Sequence, residues 1–173
     1  MHNIIIPKEI KINISENWVK LQNKKNIILK KKIKYNLIFM NKNKLYFLNN
    51  KNIKNYDRYL YYNFINSLYG IKNGFIFKLR LIGIGFKITI NKQNIILKLG
   101  YSHLIKYTIS KKLNISQPKQ RIPLYCITGS NYNDITQLAS NLKKLKKPEP
   151  YKGKGFCYYY EKIKRKEGKK NYV

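Results

Sequence analysis

The sequence predicts an α+β protein of two similar domains that arose by internal duplication, each an antiparallel sheet packed on one helix. Three observations predict this fold class. An eight-residue segment recurs, several short stretches alternate apolar with polar residues, and each half of the 173-residue chain has one amphipathic helical stretch. We expect a first domain over residues 1–80 and a second over residues 81–173, with the boundary just before Gly83-Ile84-Gly85.

The recurring segment reads NKKNIILK at residues 23–30 and NKQNIILK at residues 91–98, so seven of eight positions match. Asn-Lys is predicted to form a tight turn into an apolar strand in both copies. Chance similarity in a chain rich in Lys, Asn and Ile is the alternative. The common order of strand, turn, strand and later helix in the two halves favours duplication.

Strands are predicted where apolar residues alternate with others along the chain. The three clearest sets are Ile10, Ile12 and Ile14; Phe75, Phe77, Leu79 and Leu81; and Ile84, Phe86, Ile88 and Ile90.

Each half has one helical pattern, in which apolar residues recur at helical spacing. The first is expected to end at Gly70 and the second before Pro148, with Asp134 near the positive N-terminal end of the second helix. The two apolar stripes are Leu60, Phe64, Ile65 and Leu68, and then Ile135, Leu138, Ala139, Leu142 and Leu145.

The charge of the chain indicates a polyanionic partner. There are 37 Lys and Arg against 7 Asp and Glu, a net charge of +30 that is costly to concentrate without neutralisation. Nucleic acid is the first candidate and an anionic membrane surface the second. The excess of Lys over Arg and of Ile over Val is typical of an A+T-rich genome, but this bias does not explain the scarcity of acids.

Other classes of protein are disfavoured. No apolar run approaches the roughly 18 residues of a membrane span, and the N-terminal stretch, with Glu9 and no Arg, does not resemble a transit or signal peptide. Cys126 and Cys157 form no CxxC pair, so neither a metal nor a cofactor is expected. His103 has no matching acid or nucleophile at readable spacing, which argues against an enzyme.

The segment over residues 143–170 has the residue types expected at an RNA contact. Pro148 and Pro150 predict an extended, polyproline-like path. Gly153 and Gly155 would let the backbone approach a phosphate and present its amides. Tyr151 offers a flat face for stacking on a base. A simple loop with solvated lysines is the alternative.

Several separated motifs resemble the bacterial-type large-subunit ribosomal protein L-six family. The segment KPEPYKGKG at residues 147–155 resembles the family signature. Three further stretches agree in order and spacing: LIGIGFK at residues 81–87, LGYSH at residues 99–103, and the helix and loop over residues 129–155. The resemblance is strongest from about residue 79 onward and weak over residues 1–70.

The resemblance implies two α+β domains and a non-enzymatic protein of the large ribosomal subunit. Family members bind large-subunit rRNA near the sarcin–ricin loop and the stalk base, beside other ribosomal proteins and where translational GTPases dock transiently. The residues carried over as rRNA-binding are Lys143, Lys144, Lys146, Lys147, Tyr151, Lys152, Gly153, Lys154 and Gly155, with Ser102 and His103 in a turn of the same domain and Lys162, Lys164, Arg165, Lys169 and Lys170 in the basic tail.

Two alternatives remain open from the sequence. An RNA-binding regulator outside the ribosome would carry the same basic surface. The composition, with no presequence read at the N-terminus, suggests a protein of the mitochondrial ribosome that is encoded in the organelle, but a plastid or the cytoplasm of an A+T-rich bacterium would give the same signature.

Overall fold

The computed structural model describes residues 2–15, 18–23, 28–32, 38–41, 44–47, 54–118 and 123–168. The chain divides into two compact units. The first consists of residues 1–75 with residues 130–132, and the second of residues 76–129 and 133–173. Each unit contains antiparallel sheets and one helix, which confirms the predicted α+β class.

The first unit contains two three-stranded sheets and a long helix. Strands β2, β3 and β4 form an antiparallel meander, and the second sheet has the order β1-β6-β5. In chain order the elements are β1 (His2–Ile5), β2 (Ile10–Ser15), β3 (Trp18–Asn23), β4 (Ile28–Lys32), β5 (Ile38–Asn41), β6 (Lys44–Phe47) and α1 (Lys54–Lys72).

The core of the first unit follows from the periodicity of its elements. Val19 and Leu21 of β3 point inward, and Leu60, Phe64 and Leu68 of α1 lie in the same buried cluster. Ile65, which the sequence placed on this stripe, is instead 37% exposed, because it lies about 100° around the helix from Phe64.

Gly70 does not end α1, which corrects the sequence-based expectation. The helix continues to Lys72, and Gly74, which follows its end, has a φ of 75°, the left-handed conformation common after a helix. A Cβ on Gly70 would collide with the carbonyl oxygen of Ser130 and the ring of Phe75. Gly70 is therefore required by a close approach of backbone to the helix.

The second unit has a meander and a four-stranded sheet. Strands β8, β9 and β10 form the antiparallel meander, and the larger sheet has the order β11-β12-β7-β13. Its elements are β7 (Phe75–Ile82), β8 (Lys87–Asn91), β9 (Asn94–Lys98), β10 (Ile105–Thr108), β11 (Leu113–Ser116), β12 (Leu124–Gly129), α2 (Tyr132–Leu145) and β13 (Gly155–Tyr158). The boundary expected between residues 80 and 81 lies within β7.

The strand expected from Ile84 to Ile90 begins only at Lys87. Gly83 and Gly85 have φ values of 150° and 76°, so the chain bends before β8 and leaves Ile84 96% exposed. The ring of Phe86 lies within 3.0 Å of where a Cβ on Gly83 would stand, which explains the glycine there.

The two copies of the eight-residue match do not occupy equivalent positions in the two meanders. Residues 91–98 join the first and second strands through a two-residue turn in which Lys92 has a φ of 48°, whereas residues 23–30 lead from the second strand into the third. Residues 24–27 lie outside the described residues. The likeness of the units thus rests on a meander and a helix in each, and not on this sequence match.

Helix α2 agrees with its predicted stripe. Ile135, Leu138, Ala139 and Leu142 are buried, Leu145 is partly buried, and the helix ends three residues before Pro148. Cys126 and Cys157 are free thiols. Neither α1 nor α2 in the described part of the chain is long and apolar enough to cross a membrane.

We predict that Gly70→Ala lowers the free energy of unfolding by about 2 kcal/mol, because the added methyl group overpacks the contact with Ser130 and Phe75. Helix propensity alone would give the opposite sign. Asn66→Ala, at an exposed position of the same helix, is the control and should raise stability by about 0.5 kcal/mol. Denaturant unfolding of both variants measures the difference, and a Gly70→Ala protein as stable as wild type would contradict the packing role.

Candidate nucleic-acid interface

The loop over residues 146–154 is a closed turn. Gly153 N donates to Glu149 O at 2.8 Å, and Glu149 N donates to Lys154 O at 3.0 Å. Phe156 N donates to Lys146 O at 2.9 Å, which ties the start of β13 to the end of α2. The extended, polyproline-like path expected from Pro148 and Pro150 is therefore wrong over this loop.

Gly153 and Gly155 are buried by the protein itself. A Cβ on Gly155, where φ is 141°, would lie 2.6 Å from Lys147 O and 2.8 Å from Lys146 O. Gly153, with a φ of 69°, packs beside Arg165 and Ile163 and uses its amide within the turn. The two glycines close the loop, and the amide of Gly153 is not free to bind a phosphate as the sequence analysis expected.

The closed loop presents its longest side chains to solvent. Tyr151 is 53% exposed, Lys147 and Lys152 are exposed, and Lys154 is partly buried. Lys144, on the last turn of α2, is also exposed. An aromatic ring among several cations suits contact with a phosphate backbone and an unstacked base.

A second aromatic and basic cluster brings the turn at residues 99–103 to the end of α2. Tyr101 Oη donates to Leu145 O at 2.9 Å, and Lys146 Nζ lies 4.5 Å from the centre of the Tyr101 ring. His103 stacks on the same ring at 6.3 Å with an interplanar angle of 22°. Ser102 and His103 are exposed, as is Tyr101 at 44%.

Tyr101 is the residue of this cluster that sequence reasoning did not select. Tyr101 lies 44 positions before Leu145, so no local sequence pattern predicts the hydrogen bond between them. The LGYSH turn contained the residue, but only the fold shows that its ring connects His103 with Lys146.

Lys143 is held inside the unit. Its Nζ lies 2.6 Å and 2.8 Å from the two carboxylate oxygens of Glu161 and 4.2 Å from the centre of the Tyr158 ring. The Lys143 side chain is 22% exposed. Because Glu161 neutralises this charge, Lys143 is less available than the exposed lysines to pair with a phosphate.

The segment after β13 is fastened to the sheet and to the loop. Arg80 Nη2 donates to Glu161 O at 2.9 Å, Tyr159 N donates to Lys78 O at 3.1 Å, and Lys166 N donates to Pro150 O at 2.9 Å. Arg80, which the sequence analysis did not select, thus positions the basic tail. Lys162, Lys164 and Arg165 are exposed along it, whereas Lys169 and Lys170 lie outside the described residues.

Two pKa values record this packing. Burial alone would raise the pKa of Glu161, but hydrogen bonds from Lys143 and Tyr158 N, with the positive charges of Lys143 and Arg80, hold it below its ordinary value. Burial, reinforced by the charge of Glu161, raises the pKa of the Cys157 thiol, which keeps it protonated and unreactive. The contacts that lower the pKa of Glu161 are the same ones that hold the start of the tail to the sheet.

The exposed side chains of the loop, the turn and the tail are mainly cations and aromatic rings. Within the described residues, no three His, Cys, Asp or Glu side chains converge as a metal site would require. The exposed lysines of the loop and tail, with Tyr151, Tyr101 and His103, offer charge and stacking faces on a rigid support.

Residues 82–158 match the family model described as Ribosomal protein L6. The chain is 39% identical to large ribosomal subunit protein uL6 of Phytoplasma mali over 104 residues, which is 60% of this chain and 57% of that protein. It is 40% identical to uL6 of Mesorhizobium japonicum over 106 residues, 61% of this chain and 59% of that protein. It is 41% identical to uL6 of Mycoplasma pneumoniae over 104 residues, 60% and 55% of the two chains.

The chain spans between 55% and 59% of the length of these three curated relatives, all of which are bacterial. The matched family segment includes the turn at residues 99–103, helix α2 and the loop over residues 146–154.

We predict that Glu161→Gln lowers the free energy of unfolding by about 1–2 kcal/mol at neutral pH, because it removes the charge from a partly buried, charge-assisted hydrogen-bond group. The folded-state pKa of Glu161 is lowered, so its contribution is present above the ordinary value of 4.5 and is lost as the pH falls through the folded-state value. The difference between variant and wild type should therefore shrink on acidification.

The control is Glu167→Gln, at an exposed acid that forms no ion pair with a described residue. Denaturant unfolding over a series of acidic pH values measures both variants. An equal and pH-independent effect of the two substitutions would contradict the anchoring role of Glu161.

Proposed function

We propose that the chain belongs to the ribosomal protein L6 family and is a structural, non-enzymatic protein of the large ribosomal subunit that binds large-subunit rRNA. The support is the match of residues 82–158 to the model of that family. The observation that carries the proposal is the closed basic loop beside the cluster of Tyr101, His103 and Lys146, within the segment that matches the family.

The proposed mechanism is electrostatic clamping on a folded RNA surface. Residues 81–173 hold 20 Lys and Arg against 4 Asp and Glu, and lysines that neutralise phosphates release counterions. Tyr151 and Tyr101 would then set the register by stacking or by contact with the sugar–phosphate backbone. Readout of this kind follows RNA shape more than base sequence.

The loop and tail are proposed to contact rRNA near the sarcin–ricin loop and the stalk base, where translational GTPases dock transiently. The exposed lysines of the loop and of the tail support this proposal by their charge. Neighbouring ribosomal proteins would cover exposed apolar side chains such as Tyr59, Tyr62 and Tyr69 on α1.

The ribosome in question is proposed to be mitochondrial. The support is the A+T-type composition, with 33 Lys against 4 Arg and 27 Ile against 2 Val. Fractionation of organelles with an antibody to the protein tests this location: enrichment with mitochondria supports it, and enrichment with plastids or with bacterial cytoplasm contradicts it.

We predict that the protein sediments with the large subunit on a sucrose gradient at low salt and leaves it only as salt is raised. If about ten phosphates are neutralised, the binding constant should fall with salt with a log–log slope of roughly −7 to −9. Sedimentation in the free fraction at low salt would contradict the ribosomal proposal and favour an RNA-binding regulator outside the ribosome.

We predict that replacing Lys152 and Lys154 together by Ala reduces incorporation into large subunits by about tenfold or more, since two phosphate contacts in the proposed interface are lost. Lys111→Ala with Lys112→Ala is the matched control, because it removes two charges from an exposed turn of the same unit. Quantitative detection of each variant across the gradient measures incorporation. Equal losses in the two pairs would show that net charge, and not this loop, directs binding.

A further inference from the structure

We propose that the outer face of the β2-β3-β4 sheet binds a segment of single-stranded RNA, with one base stacked on Trp18 and the adjoining phosphates on Lys20 and Lys30. This site lies in the first unit, whereas the proposed rRNA interface lies in the second. The inference rests on the geometry of the sheet and does not depend on the ribosomal proposal.

The alternation of β3 separates an inner from an outer face. Val19 and Leu21 are fully buried in the core, so Trp18 and Lys20 point to the opposite side of the sheet. Trp18 is 47% exposed, which is unusual for the largest apolar side chain and leaves a flat indole face in solvent.

Neighbouring strands supply the rest of this face. Ser15 pairs with Trp18 across β2 and β3, and Asn13 pairs with Lys20. On the other side of β3, Lys20 pairs with Lys30 of β4. Together these side chains surround a shallow cavity of about 470 Å³, lined by Asn13, Ile14, Ser15, Trp18, Lys20 and Lys30.

Two like charges face each other on this side of the sheet. Lys20 and Lys30 are directly opposite each other on adjacent strands, an arrangement that destabilises a sheet by like-charge repulsion. Neither lysine forms an ion pair with any residue that the structure describes. A phosphate between the two ammonium groups would convert the repulsion into attraction.

The aromatic ring selects the kind of anion. A phosphate group does not stack on an indole ring, whereas an unstacked base does and is stabilised by that contact. A duplex hides its base faces, so the cavity suits a single strand. The Ser15 hydroxyl donates to Trp18 O at 3.0 Å and stabilises the hairpin, which leaves the Asn13 amide as the polar group able to meet a base edge.

The experiment uses a property of the sequence, since Trp18 is the single tryptophan of the chain. Its fluorescence reports on this face alone, whatever RNA binds elsewhere on a protein of net charge +30. The full-length protein is titrated with a short oligouridylate, a duplex RNA of the same length and inorganic polyphosphate of matched charge. We expect saturable quenching by the oligouridylate, and much weaker quenching by the other two.

The variant Lys20→Gln with Lys30→Gln should raise the oligouridylate concentration at half-maximal quenching by about tenfold, because two phosphate contacts are removed. The matched control is Lys87→Gln with Lys98→Gln, which removes a directly opposed cross-strand lysine pair from the meander of the second unit. The control should shift the midpoint less than about twofold, since those lysines lie in the other meander. Circular dichroism checks that both variants fold.

Three outcomes would overturn the inference: no quenching of wild-type protein by the oligouridylate, equal quenching by polyphosphate, or equal shifts in the two lysine variants. None of these results would affect the sucrose-gradient test, in which the second unit carries the binding. Conversely, quenching at Trp18 in a protein that sediments free of the large subunit would support this site and reject the ribosomal proposal.

Discussion

The return of the chain from α2 into β13 is the constraint on which the proposed interface depends. Phe156 N reaches Lys146 O at 2.9 Å only because Gly155 has no side chain to strike the carbonyls of Lys146 and Lys147. The pairing of β13 with β7 then buries Phe156 and Cys157 completely. With both ends of the loop held, Tyr151 and Lys152 project from a fixed support, so the proposed binding would cost little backbone entropy.

The Lys143–Glu161 ion pair, the only one among the described residues, holds the segment after β13 in place. The Glu161 carboxylate accepts hydrogen bonds from Lys143 Nζ and Tyr158 N, and the Glu161 backbone oxygen accepts one from Arg80. This one residue therefore holds the start of the basic tail against the sheet. No other cation in the described part of the loop and tail forms an ion pair. The mutual repulsion of these cations is tolerated because few of them are buried, and a polyanion would relieve it.

The two units share a set of elements but differ in the side chains that they expose. Both contain a three-stranded antiparallel meander with apolar side chains on its inner face and a helix in the same unit. In the second unit the exposed lysines proposed to bind RNA lie mainly after α2, in the loop and the tail. In the first unit the exposed ring of Trp18 and the side chain of Lys20 lie on β3, between the polar side chains of β2 and Lys30 of β4. The two units therefore present different exposed side chains on similar sets of elements.

Local pattern was sufficient for the α+β class, for the buried stripe of α2 and for β7, because periodicity directly reflects which side of an element meets the core. It was also sufficient for a positive surface, since charge is additive along the chain. Contacts between distant residues were not accessible to it. The closed turn around Gly153 and Gly155, the capture of Lys143 by Glu161 and the stacking of His103 on Tyr101 beside Lys146 each depend on segments that only folding brings within hydrogen-bond or van der Waals distance.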